Sequence, residues 1–124
     1  IRVITQLDTL YTYSNFAMYC YLGVISEAAL DDLKFSENEV AEVFLVSLDD
    51  LLAITPEVYP IKAIPQIPED FPYDKVYQGK PYPWRGGRGS VPIYEVDDRV
   101  IWGLTARITK HFLEIITEKE DADV

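Results

Sequence analysis

Between Pro65 and Gly89 the chain carries Pro65, Pro68, Pro72, Pro81 and Pro83, then Gly86, Gly87 and Gly89. Proline fixes φ and removes a backbone donor, while glycine loses the most freedom on ordering, so no long helix or strand crosses this stretch. We read 65–90 as one long loop. It separates a strand-rich front from a rear part that ends in a helix. A connection of about twenty-five residues without regular structure is, in a compact domain, either functional or disordered.

The front part reads as strands. Ile1–Leu7 is rich in β-branched residues and predicts a strand, and Thr9–Asn15 a polar-aromatic connection with turn chemistry at Ser14-Asn15. Phe16–Ile25 (FAMYCYLGVI) is a continuous apolar run, the signature of a central strand buried on both faces. Ser26–Asn38 is acidic and reads as loop. Glu39–Ser47 predicts a third strand, followed by a short helix over Leu48–Ile54 with Ser47 as its N-cap and Asp49 and Asp50 in its first turn. Glu57–Ile64 predicts a further strand, where Pro60 points to an edge or a bulge. Behind the loop, Val91–Val96 predicts a strand, Asp97-Asp98 a turn, and Ile101–Glu118 a helix. In that helix Ile101, Leu104, Ile108, Phe112 and Ile115 recur every three or four residues. The expected class is α/β (α+β), a mixed sheet packed with helices, in one domain over 1–124.

At 124 residues such a domain buries about two-thirds of its unfolded surface. The formal charge of −10 argues against affinity for nucleic acid, which needs basic surface to displace counterions. The charge is uneven. From Asp74 to Arg88 that single acid faces Lys75, Lys80, Arg85 and Arg88, while 119–124 forms an acidic tail. This pattern suits a small anionic ligand rather than a polymer. No apolar stretch approaches the ~20 residues of a membrane span. One cysteine, Cys20, cannot close an internal disulfide, which points to a cytoplasmic home. Ile1 in place of Met reads as a cut boundary.

Two segments carry a family resemblance. Ile101-Trp102-Gly103-Leu104-Thr105-Ala106-Arg107-Ile108 is similar to the I-W-G-x-T-A-R-I opening of the last helix in Nudix hydrolases of the coenzyme A pyrophosphatase branch. Upstream, Glu39–Leu48 resembles an E-x-x-E-x-x-x-x-x-L strand of many Nudix proteins, and Leu10–Phe16 resembles the segment that follows the Nudix box. The box itself, G-x5-E-x7-R-E-U-x-E-E-x-G-U with U a bulky aliphatic, does not occur in the chain, and neither does the additional coenzyme A signature.

The resemblance implies the C-terminal part of a Nudix fold. It also implies a parent protein that hydrolyses a nucleoside diphosphate linkage with Mg2+ or Mn2+. Coenzyme A, cut to 3′,5′-ADP and 4′-phosphopantetheine, is the expected substrate, and this chain alone is expected to be inactive and to hold no metal tightly. Glu39 is the residue to which a metal-ligand or general-base role carries over, with Glu42 second; the alternative is a pair of solvated carboxylates at a strand edge. Arg85 and Arg88, flanking Gly86-Gly87, are candidates for phosphate contact because arginine offers a planar fork to phosphate oxygens; a mobile surface loop is the competing reading. Tyr11 and Tyr13 are candidates for stacking on an adenine. Arg107 is expected to form a salt bridge or a helix-to-strand contact, and His111 lacks a second ligand nearby. Exposed sheet edges and apolar strands predict a homodimer, or association with the remainder of a longer protein. The alternative function is a box-less module that binds a nucleotide-like ligand or a protein partner without catalysis.

Overall fold

The computed structural model describes residues 1–12 and 14–122. The chain folds in the α+β class, with every strand pairing antiparallel. The elements run β1 (Arg2–Gln6), β2 (Leu10–Tyr11), β3 (Ala17–Met18), β4 (Tyr21–Val24), α1 (Glu27–Leu30), α2 (Leu48–Ala53), β5 (Glu57–Ala63), α3 (Tyr73–Val76), β6 (Gly87–Val96), β7 (Arg99–Trp102) and α4 (Gly103–Ala122).

The centre is a three-stranded sheet in the order β5-β6-β7, with α4 packed on one face. Along β6 the side chains alternate, and Pro92 and Tyr94 turn to the helix and are buried. Tyr94, Ala106 and Leu113 form the core, flanked by Leu51 and Ile54 at and just beyond the end of α2 and by Val96, Ile101, Phe112 and Ile116. The buried line of α4 therefore runs through Ala106 and Leu113 rather than along Leu104, Ile108 and Ile115. Alanine wins that position because Tyr94 occupies the space a larger side chain would need. The helix also starts at Gly103, whose φ of +67° suits glycine, because Ile101 and Trp102 are held in β7.

Two prolines lie in this sheet without breaking it. Pro60 is on β5, the edge strand, as expected. Pro92 lies one residue past the last β6–β7 pair, where β6 has a neighbour on one side only. Asp97 takes a φ of +54° in the β6–β7 turn. Helix α2 forms as read, and the Ser47 hydroxyl accepts a hydrogen bond from the Asp50 N–H.

Phe16–Ile25 is not one buried central strand. Its apolar run is split into β3, which pairs β2, and β4, which pairs β1, with the Leu7 N–H donating to the Cys20 carbonyl at 2.8 Å between them. Only Cys20 of the run is buried; Phe16 and Tyr19 are each 66% exposed. A run of strand formers becomes a core strand only when layers cover it, and no helix or strand forms a layer over β3 and β4 among the described residues. Glu39–Ser47 is not a strand either. It has the β-branched and aromatic content but no neighbouring strand to take its backbone groups, and it runs irregularly with Leu45 74% exposed.

The long loop is also more ordered than its prolines suggest. Phe71, Tyr73, Tyr77, Tyr82 and Trp84 pack edge to face at centroid distances of 4.8–5.4 Å, around the single turn of α3. The Trp84 indole N–H donates to the Tyr73 hydroxyl at 3.0 Å. Total accessible area is 10692 Å², whereas a compact monomer of 14.2 kDa exposes about 6,800 Å². Folding thus covers about half of the extended-chain surface, not two-thirds. The two-stranded ribbon and the aromatic loop account for this, since neither is buried against the central sheet.

Candidate functional site

The seven-pair register of β5 against β6 sets Lys62 directly opposite Arg88, Pro60 opposite Ser90 and Val58 opposite Pro92. These three pairs share the face that α4 covers, because Pro92 and Tyr94 point that way. Two cations opposed across strands repel each other. Neither has a carboxylate within salt-bridge distance among the described residues. Such a pair is a place for an anion.

Further along the same face, Val58, Ser90 and Pro92 form the floor of a cleft of about 470 Å³. Arg107, Lys110, His111 and Glu114 of α4 form one wall, and Asp8, Thr9 and Leu10 of the ribbon the other. Lys62 and Arg88 lie outside that lining, two register pairs, or about 7 Å, along the strands from Pro60 and Ser90. Arg107 is half-buried and makes no ion pair among the described residues; of its two expected roles, the salt bridge is not formed, and it instead lies beside strand residues Ser90 and Pro92. It also lines a second cleft with Ile61, Ser90 and Thr105. Among the α4 residues lining the cleft, Lys110 pairs with Glu114 one turn on, and His111 with Asp8. The His111 Nε2 accepts the Asp8 N–H at 3.3 Å when the ring is neutral, and it lies 3.5 Å from the Asp8 carboxylate, to which it donates when protonated.

The residues singled out from sequence do not converge. Glu39 lies exposed in a turn, its N–H donating to the Ser36 carbonyl at 3.0 Å. Glu42 is gripped by the Arg99 guanidinium through Nε at 3.0 Å and Nη2 at 3.1 Å, and the Phe44 ring lies 5.0 Å beneath that guanidinium. The hydrogen bond and then the charge of Glu42 raise the Arg99 pKa above its ordinary value. A carboxylate held this way is a structural tether between 39–47 and the β6–β7 turn. No group of three His, Cys, Asp or Glu side chains able to hold a metal ion exists among the described residues. Neither Glu39 nor Glu42 belongs to such a group.

Arg88 is on β6 rather than in a free loop, and it meets Lys62 rather than Arg85. Arg85 is exposed ahead of Gly86, where a Cβ would stand 2.7 Å from the Ala63 carbonyl oxygen, so only glycine lets the loop close there. Tyr11 is on β2, opposite Ala17 and 77% exposed, outside the residues that line the cleft. Tyr13 lies outside the described residues. The sequence reading missed Lys62 and undervalued Arg107. Lys62 was findable only by treating the strands on either side of the loop as one hairpin and counting the register outward.

The arrangement offers an anion the cations Arg107 and Lys110 in the cleft wall, a floor of Val58, Ser90 and Pro92, and Leu10 opposite, with Asp8 and Glu114 the carboxylates that also line it. Among the described residues no helix is long and apolar enough to cross a membrane. No family model, no curated protein and no solved structure matches the chain.

Proposed function

We propose that this chain is the phosphate-holding part of a Nudix-type pyrophosphohydrolase that takes a coenzyme A-like nucleotide, a small molecule rather than a nucleic acid. The observation that carries it is the Lys62–Arg88 pair, without an ion-pair partner among the described residues and on the same sheet face as Ser90, which lines the Arg107 cleft. Arginine and lysine at two heights along one face suit a ligand with two separated phosphate groups, and the apolar floor suits the uncharged part between or beyond them. The reaction, hydrolysis of the diphosphate linkage with Mg2+ or Mn2+ in a full-length parent, is what the Nudix resemblance of Ile101–Ile108 implies. Metal would supply charge neutralisation there and an activated water. The chain's own residues would bind and orient.

A second reading is a module that binds such a ligand and turns nothing over. The engagement of Glu42 by Arg99 favours it, since that carboxylate is committed to structure. Both readings predict binding. In calorimetric titration with 3′,5′-ADP, Lys62→Ala, Arg88→Ala and Arg107→Ala should each weaken affinity by roughly ten-fold, the effect of losing one charge-assisted contact. Affinity unchanged in all three would remove the cleft from consideration. Metal-dependent release of 3′,5′-ADP from coenzyme A by the whole protein, sensitive to Glu39→Gln, would favour the enzyme reading over the binding module.

A further inference from the structure

The central sheet ends in a step. β7 pairs with β6 only from Val96 to Ile93, whereas β6 runs on to Gly87 beside β5 alone. At that step the chain leaves β7 at Trp102, turns through Gly103 and enters α4. A cleft of about 450 Å³ opens there, a volume in the range of small-molecule sites. The apolar side chains lining it are Ile61, Val91, Trp102 and Leu104, and the polar ones Ser90, Thr105 and Arg107. Ile61 reaches the cleft because its cross-strand partner is Gly89, where a Cβ would stand 3.3 Å from the Ile61 side chain. Ser90 and Arg107 also line the cleft that holds Lys110, so the two clefts share a polar border. Trp102 is 65% exposed. Among the described residues its ring stacks on no other ring and its indole N–H meets no acceptor, whereas Trp84 has both kinds of partner.

We propose that Trp102 is the platform on which the base of a nucleotide stacks. The ring lies on the indole beside Ile61, Val91 and Leu104, and its phosphate arm passes Arg107 toward the neighbouring cleft. This rests on the nucleotide reading above and adds to it the place of the base. Three observations select a flat ring with an anionic arm. First, Arg107 is the only charged residue that lines this cleft among the described residues, and it has no ion-pair partner there. Second, a bare indole beside aliphatic side chains suits a planar aromatic group, and stacking of that kind tolerates any base because every base has a π-face. Third, Ser90 and Thr105 carry hydroxyls that donate or accept, as the ring nitrogens and exocyclic groups of a base require. An aliphatic acid would have no use for them.

Tryptophan emission from the whole chain tests it. The chain has two tryptophans, so in a Trp84→Phe background all indole emission is from Trp102. There 3′,5′-ADP should quench the emission saturably, and inorganic pyrophosphate, which has no ring, should not. In calorimetric titration Trp102→Ala should weaken 3′,5′-ADP binding by roughly ten-fold, the effect of losing one base–aromatic stack, and should leave pyrophosphate affinity unchanged. Trp102→Phe, which keeps a ring and spares the fold, should bind 3′,5′-ADP nearly as tightly as the natural chain. Arg107-dependent binding of 3′,5′-ADP with no quench of Trp102, or with full affinity in Trp102→Ala, would overturn the stacking role and leave the phosphate reading standing. Equal weakening of both ligands in Trp102→Ala would also overturn it, since the indole would then support the fold and not the base. Quenching by a medium-chain carboxylate and not by 3′,5′-ADP would assign the cleft to an apolar acid instead. Binding of neither 3′,5′-ADP nor pyrophosphate by the natural chain would remove both readings.

Discussion

Tyr94 is 1% exposed because Ala106, opposite it on α4, has no side chain beyond Cβ and is itself fully buried. Helix and sheet can approach there only with a small residue on one side and a large one on the other. Ala106→Leu should therefore cost about 1–3 kcal/mol through overpacking, measured as a lower urea midpoint. The Tyr94 hydroxyl carries a pH dependence as well. Burial raises its pKa above the ordinary 10.0, with Lys110 pulling it back and Glu114 pushing it up. A raised folded-state pKa means that the stability tied to the neutral phenol is complete below about pH 10 and is lost as pH climbs through the higher folded value. Tyr94→Phe should thus lose little at neutral pH and should fall off less than wild type in alkaline solution. An identical alkaline decline in both proteins would place that loss elsewhere.

Among the elements, those with a self-contained signal were legible in the sequence. Ser47 capping Leu48–Ala53, Pro60 marking an edge and Asp97-Asp98 marking a turn each act within a few residues, and each was found where read. Phe16–Ile25 and Glu39–Ser47 were misread because strand propensity describes a fit to neighbours that the run itself does not supply. The aromatic loop was illegible for a different reason. Positions 71, 73, 77, 82 and 84 follow no helical or strand period, so only the folded chain shows that their rings meet. That cluster is a small unit with its own cohesion. Trp84→Ala, which removes two ring contacts and the hydrogen bond to Tyr73, should open it without loosening the Tyr94 core. Trypsin should then cut faster at Lys75 and Arg85, while the thermal midpoint stays within a few degrees. Unchanged cleavage would show that the ring contacts do not hold the loop.

Across the whole molecule, charge was legible and its placement was not. The basic stretch ending at Arg88 was visible as a contrast with the acidic remainder, and it pointed to a small anion. Which cations cooperate depends on a hairpin closed over a long loop and on a helix packed across it: Lys62 and Arg88 pair across β5 and β6, and Arg107 lines the cleft further along that face. The central claim is that these three hold the phosphates of a coenzyme A-like nucleotide. Titrating the isotopically labelled chain with coenzyme A and following its backbone amides tests that claim most directly. Saturable shifts clustered at Lys62, Arg88, Ser90 and Arg107, weakened by added salt and abolished in the Lys62→Ala/Arg88→Ala double variant, are the predicted result. No saturable shift, or shifts confined to the aromatic loop around Tyr82 and Trp84 and indifferent to that double variant, would contradict it.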